Sequence, residues 1–133
     1  MDSAPADMIS HQLSRGGTID ITTIGRRTGL PRRIEIWFHN LGGDLYITGR
    51  PGFPRDWLAN LRSSPHFTFH LKRGLRADLD AIAEEITDPP TREQVLRRIL
   101  IESWNMPPPR VEGAIAKWVA SAPLVRVEVP APS

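Results

Sequence analysis

Residues 18–33 read TIDITTIGRRTGLPRR, and the rest of the chain is best understood outward from them. Thr18–Ile24 alternates residue types with period two, the pattern of a half-buried strand. Gly25 stops it. Arg26 and Arg27 follow, then the turn residues Thr28 and Gly29, then Pro31, Arg32 and Arg33. Four guanidinium groups within eight residues thus surround a tight turn between two strands. Guanidinium is planar and offers paired donors, which suits a phosphate or carboxylate. A short basic run is also the ordinary composition of a solvated turn. Spacing alone leaves both readings open.

The second strand is Arg32–His39, with Ile34, Ile36 and Phe38 on one face and Glu35, Trp37 and His39 on the other. Asn40-Leu41-Gly42-Gly43-Asp44 makes a hairpin turn, since its glycines tolerate positive φ. Leu45–Thr48 is the third strand of an antiparallel meander. After the loop Gly49–Phe53, a short helix is expected from Pro54 to Arg62, with Pro54 in its first turn. His66–Lys72 is a fourth strand. Gly74–Thr87 fits two periods. Leu75, Leu79, Ile82 and Ile86 recur at helical spacing, while Leu75, Ala77, Leu79, Ala81 and Ala83 alternate. Its Ala and Glu content leans to helix. Thr91 is placed to cap a helix from Arg92 to about Trp104, with Val95, Leu96 and Ile99 toward the core. Another helix spans about Arg110–Ala120, and Leu124–Val129 forms a last strand.

The 133 residues suit one domain, 17–130, behind an N-terminal extension, 1–16, that is flexible or helical. Apolar content of 40% and charged content of 24% are ordinary for a globular chain. The net charge is only +2, so the pI of 9.7 is no argument for nucleic acid. The aromatics Trp37, Phe53, Trp57, Phe67, Phe69, Trp104 and Trp118 are dispersed through core-like patterns rather than forming a base-stacking platform. No nucleic-acid partner is expected. No cysteine occurs, which excludes disulfides and thiolate chemistry. The N-terminus carries no apolar run, so neither a secretory signal nor a membrane span is expected, and the protein is placed in the cytoplasm.

Metal and nucleophile chemistry find little support. His66 and His70 share a strand face but lie ~13 Å apart at strand rise. No serine sits in a GxSxG elbow, and no P-loop or GxGxxG is present. Glu84 and Glu85 point to opposite faces of a strand. What remains is a second basic-and-glycine loop, GRPGFPR at Gly49–Arg55, followed by a helix with Trp57 and Asn60. Two such loops can converge on one groove of an antiparallel barrel. Oxyanion donors beside an apolar platform suit a planar cofactor with a phosphate tail.

These residues resemble a known family. TTIGRRTGLPR at Thr22–Arg32 is similar to the TTxGRxSGxxR element of the deazaflavin-dependent nitroreductases. RDWLANLRSSP at Arg55–Pro65 is similar to their PxWxxNLxxNP element, with the leading proline displaced to Pro54. The likeness runs from about Thr18 to Val129. It implies a mostly β, α+β fold: a split β-barrel of about six antiparallel strands with two to four peripheral helices. It makes Gly74–Thr87 a strand. It implies coenzyme F420 as cofactor, with FMN the alternative, and hydride transfer from F420H2 to a small electrophilic acceptor such as a quinone, an enone or a nitro compound. A non-catalytic flavin or deazaflavin carrier and an FMN-binding split-barrel reductase are the other readings.

By the same resemblance, Arg26, Arg27, Thr28 and Arg32 hold the cofactor's phosphate and acidic tail. Trp37 lies beside the deazaflavin, and Thr48, Gly49 and Arg50 lie against the ring or phosphate. Trp57 and Asn60 position the helix. No catalytic side chain or metal ligand is assigned; the proton could come from water or from the hydroxyl of Thr48 or Ser103. The expected partners are the small-molecule cofactor and substrate, and a second copy of the chain, since split barrels often close their groove with one. Family members often carry several tyrosines near the C-terminal helix. Here that region is SWNMPPPRVEGAIAKW, and the one tyrosine of the chain is Tyr46. The substrate pocket must therefore be built from different groups.

Overall fold

A computed structural model describes residues 6–130. Its strands are β1 (Gly17–Ile24), β2 (Pro31–Leu41), β3 (Asp44–Thr48), β4 (His66–Leu71), β5 (Ala77–Glu85) and β6 (Leu124–Glu128). They close into a barrel in the order β1-β2-β3-β6-β5-β4, with every pairing antiparallel. The helices are α1 (Ala6–Ser14), α2 (Asp56–Ser63), α3 (Pro89–Arg98) and α4 (Pro108–Ser121). The α+β split-barrel class expected from the sequence is the class observed.

Period-two alternation fills the barrel. Ile19 and Ile21 of β1, Phe38 of β2, Ile47 of β3, Phe69 of β4 and Val125 of β6 are all buried in one cluster. Phe38 and Phe69 meet edge-to-face with ring centroids 5.1 Å apart. The face expected for Ile34, Ile36 and Phe38 is buried only at its end: Phe38 is 2% exposed, but Ile34 is 36% exposed. The reason is pairing. β3 covers β2 only from His39 to Leu41, whereas β1 pairs with β2 back to Pro31. Among the described residues, the first half of β2 therefore has a neighbour on one edge only. The β1–β2 hairpin projects beyond the barrel wall, carrying the arginine turn at its tip.

The ambiguous segment resolves as β5. It pairs with β4 from Ala77 to Ile82 and with β6 from Ile82 to Glu85. Helical propensity loses because β5 satisfies the backbone groups of two neighbours at once, and without it the barrel has a gap.

A second apolar cluster lies outside the barrel. Leu96, Ile99 and Leu100 pack with Val111, Trp118 and Leu124. Asp88, not Thr91, caps α3: its carboxylate accepts from the backbone N–H of Thr91 at 3.1 Å and from its hydroxyl at 2.5 Å. The helix starts with Pro89 and Pro90, whose missing N–H groups cost nothing in the first turn. It ends in a π-helical turn, Ile99–Ser103, with Trp104 N–H donating to the Ile99 carbonyl at 3.2 Å. Asn105, in the left-handed region at φ 49°, then breaks the chain away toward α4.

Two buried polar groups fix this layer. Arg92, 8% exposed, donates to the carbonyls of Ile86 at 3.0 Å, Val119 at 2.9 Å, Trp118 at 3.3 Å and Ala122 at 2.5 Å. It joins α3 to the end of β5 and to carbonyls at the C-terminus of α4. His39, 3% exposed, packs edge-to-face on Trp104 at 5.6 Å, and its Nε2 has no hydrogen-bond partner. Burial holds its pKa down to about 4, from an ordinary 6.5.

Two predictions follow from these groups. Arg92→Ala strands several buried carbonyls and should lower unfolding free energy by about 3 kcal/mol or more in urea titrations; Arg92→Lys should recover only part, because one ammonium cannot fork to four acceptors. For His39 the depressed folded pKa means that protonation favours the unfolded chain. Its contribution is intact above pH 6.5 and is lost as the pH falls toward about 4. Between pH 6.5 and about pH 5 the loss should be about 2 kcal/mol. The His39→Phe variant should show a flat profile over that window, and an equal slope in both proteins would refute the assignment.

Candidate functional site

The turn at the tip of the β1–β2 hairpin is held by its own backbone. Gly25 N–H donates to the Leu30 carbonyl and Gly29 N–H to the Gly25 carbonyl, both at 2.8 Å. Thr28 Oγ1 accepts from Leu30 N–H at 3.2 Å and lies where a Cβ on Gly25 would come within 2.8 Å of it. Gly29 sits at φ 71°. Glycine is thus required at both positions, at Gly25 for space and at Gly29 for conformation.

Helix α2 pins this turn. Asn60, 4% exposed, donates through Nδ2 to Thr23 Oγ1 at 3.1 Å. Its Oδ1 accepts from the backbone N–H of Arg26 at 3.1 Å and from Arg26 Nη1 at 3.4 Å. Arg26 also reaches the exposed Asp56 carboxylate at 3.5 Å. The result is a cleft of about 300 Å³ bordered by Arg26, Arg27, Thr28, Arg32, Trp57 and Asn60. The fourth arginine is occupied elsewhere: Arg33 Nε donates to Asp20 at 3.0 Å, and Lys72 joins the same carboxylate at 2.7 Å. Asp20 is accordingly held below the ordinary carboxylate pKa, chiefly by its hydrogen bond from Lys72. Among the described residues, Arg27 and Arg32 have no carboxylate partner. Two unpaired guanidinium groups and one positioned by a buried amide can bind a phosphate or a carboxylate from several sides.

The second loop comes against the first. Arg26 shares a larger cavity, about 780 Å³, with Phe53 and Arg55, between α2 and the C-terminal end of α4. Arg55 lies over the Phe53 ring at 4.1 Å and donates to the Phe53 carbonyl at 3.0 Å. Its guanidinium presses on Gly49, where a Cβ would come within 2.9 Å of it. Burial lowers the pKa of Arg55 without neutralising it. Arg62 in the same wall is forked onto Glu85 at 2.6 and 2.7 Å and fastens α2 to β5.

Of the residues singled out in the sequence, the structure brings Arg26, Arg27, Thr28 and Arg32 into one cleft. Gly49 lies beneath Arg55. Arg50 turns to a separate cavity of about 490 Å³ with Trp104 and Trp118. Thr48 is buried, and its hydroxyl donates to the Pro123 carbonyl at 2.5 Å. Trp37 is 57% exposed on β2, opposite Thr18 of β1, and borders none of these cavities. The sequence singles out the Gly49–Arg55 loop but assigns no separate role to Phe53 and Arg55, which line the larger cavity. Their signal is the loop's Gly-Pro-Gly character, which marks a close approach but not what approaches.

Comparison with known proteins identifies the relatives of this architecture. A sequence model described as F420H(2)-dependent quinone reductase matches residues 3–106. No curated protein matches the chain. Among solved structures, the conserved hypothetical protein Rv2991 from Mycobacterium tuberculosis is 16% identical with a TM-score of 0.75, over 97% of this chain and 86% of that one. A structure described as an F420 reductase is 21% identical with a TM-score of 0.62, over 92% of this chain and 93% of its own. Another, an F420-H2 dependent reductase, is also 21% identical, with a TM-score of 0.58 over 84% of this chain and 94% of its own. These likenesses show a shared fold. With the family match covering most of the chain, the protein belongs to the F420H(2)-dependent quinone reductase family and is an F420H2-dependent oxidoreductase.

Proposed function

We propose that the cleft at the hairpin tip holds the phosphate and acidic tail of F420 through Arg26, Arg27, Thr28 and Arg32, and that the bound cofactor reduces a quinone. The supporting observation is the arrangement of the three guanidinium groups: Arg27 and Arg32 unpaired, and Arg26 oriented by Asn60. Held by these residues, F420H2 would supply a hydride from C5, and with one proton the quinone would become the hydroquinone, leaving F420. The protein's part is to bind and to orient. Arg55 and Phe53 flank the path from the cleft along the 49–55 loop, and Gly49 keeps that loop thin. Thr48 gives its hydroxyl hydrogen to Pro123, which leaves water, or the exposed Ser103, as the proton source. The enzyme acts in the cytoplasm in this proposal; no helix among the described residues is long and apolar enough to cross a membrane.

A homodimer belongs to the same proposal. It is supported by the half-paired β2 and by the exposed Leu30 and Trp37 beside it. Sedimentation velocity should give a dimer that Trp37→Lys shifts toward monomer, and a wild-type monomer at micromolar concentration would remove this part.

The cofactor assignment is tested by binding. Each lost charge-assisted contact costs about 1.5–3 kcal/mol, so the Arg27→Ala/Arg32→Ala double variant should bind F420 at least about a hundredfold more weakly in fluorescence titrations. Unchanged affinity would refute the placement of the phosphate. FMN and FAD, titrated in parallel, should bind more weakly than F420 to the wild type.

A further inference from the structure

We propose that the cavity on the other side of the 49–55 loop binds a planar aromatic anion, and that the preferred hydride acceptor is accordingly an anionic quinone rather than a neutral one. The cavity, about 490 Å³, is walled by Trp104, Trp118 and Met106 and rimmed by Arg50, Arg110 and Lys117. That volume holds two fused rings. Its residues do not overlap those of the arginine cleft.

The apolar wall is rigid. Trp104 and Trp118 meet edge-to-face at 5.2 Å, and Trp104 is backed by the buried His39 ring at 5.6 Å. The π-helical turn and Asn105 set where Trp104 stands: the Met106 N–H returns to the Leu100 carbonyl at 2.9 Å, so the chain reverses around Trp104 before entering α4. Trp118 is 8% exposed, whereas Trp104 keeps 39% of its surface open. A flat ring has an aromatic and thioether surface to lie on.

The charge is what selects. Arg50, Arg110 and Lys117 are all cationic, and no Asp or Glu lines the cavity. The carboxylates of the neighbouring elements are engaged elsewhere. Glu102 is bound by Arg98 at 2.8 Å, Asp44 by Arg126 at 3.2 Å, and Glu112 by Arg97. Among the described residues, none of the three rim cations has a carboxylate partner. Three like charges around one apolar concavity repel each other and raise the local potential, and a ligand with delocalised negative charge relieves this. A neutral quinone could use the tryptophans but would leave the cations unanswered. The position fits an acceptor, because Arg50 and Pro51 of the loop border this cavity while Phe53 and Arg55 of the same loop border the cavity they share with Arg26. Naming the ligand a hydride acceptor rests on the cofactor reading above; its binding does not.

The test uses two naphthoquinones: lawsone, an anion at neutral pH, and menadione, which is neutral. Calorimetry on the full chain without cofactor should show lawsone binding about tenfold or more tighter than menadione, with the preference shrinking as salt rises to about 0.5 M. The Arg110→Gln/Lys117→Gln variant, altered on the exposed face of α4, should lose the preference while keeping its affinity for F420. With F420H2 present, kcat/KM should follow the same order. Equal affinity of the wild type for both quinones overturns the proposal, as does a variant that loses F420 instead, which would make these cations part of the cofactor site. Lawsone binding without oxidation of F420H2, while menadione oxidises it, overturns the acceptor role and leaves the cofactor reading and the anion site standing; oxidation by neither quinone overturns the acceptor role and the cofactor reading together. Oxidation of F420H2 by menadione with no preference for lawsone leaves the cofactor reading standing and removes the anion site.

Discussion

An antiparallel barrel closes only when its strands pair round into a ring, and here β5 is the strand on which closure depends. It is bonded to β4 along its first half and to β6 along its second. Strands β1 to β4 come from the first 71 residues, and β6 from the last ten. β5 is therefore what joins the last strand to the early ones on this side of the ring. Through Glu85 it also receives the forked Arg62 of α2, and the Ile86 carbonyl next to it accepts from Arg92 of α3. Two of the three helices bordering the larger cavity, α2 and α3, are thus tied to the same end of one strand.

Closure also explains why the site is where it is. β3 is shorter than β2, so the barrel wall stops before the β1–β2 hairpin does. The hairpin tip stands free of the wall and would be floppy alone. Asn60 removes that freedom, since a single buried amide serves Thr23, the Arg26 backbone and the Arg26 side chain. A polar side chain is tolerated there because its amide nitrogen donates and its carbonyl oxygen accepts. The arginines then project from a turn whose geometry is set by glycine on one side and by α2 on the other.

The C-terminal layer works by a different means. It packs its apolar cluster on Leu41, Tyr46 and Leu124 of the sheet and is tied by Arg92, whose guanidinium gathers carbonyls at the end of α4, and by the aromatic contacts of His39, Trp104 and Trp118. The region presents the indoles of Trp104 and Trp118 beside Arg50, Arg110 and Lys117.

The amino-acid sequence by itself determined the strands with clean alternation, the hairpin turns with glycine where φ is positive, and the basic character of the Gly25–Arg33 turn, because these depend on local sterics and period. It also carried the family pattern in TTIGRRTGLPR. Tertiary structure alone decided the rest. Within Gly74–Thr87, Ala77–Glu85 became a strand because two neighbours needed its backbone, which no local window contains. Arg33 was drawn to Asp20, which Lys72 shares, while among the described residues Arg27 and Arg32 were left without a carboxylate partner, because strand register sets which charges meet. Thr48, a free hydroxyl on paper, was buried against Pro123, and Arg55, unremarkable on paper, came to rest on Gly49 and Phe53. Type and order of residues set what each segment can form; which groups remain available to a ligand depends on long-range pairing that assigns each donor and charge a partner or leaves it without one.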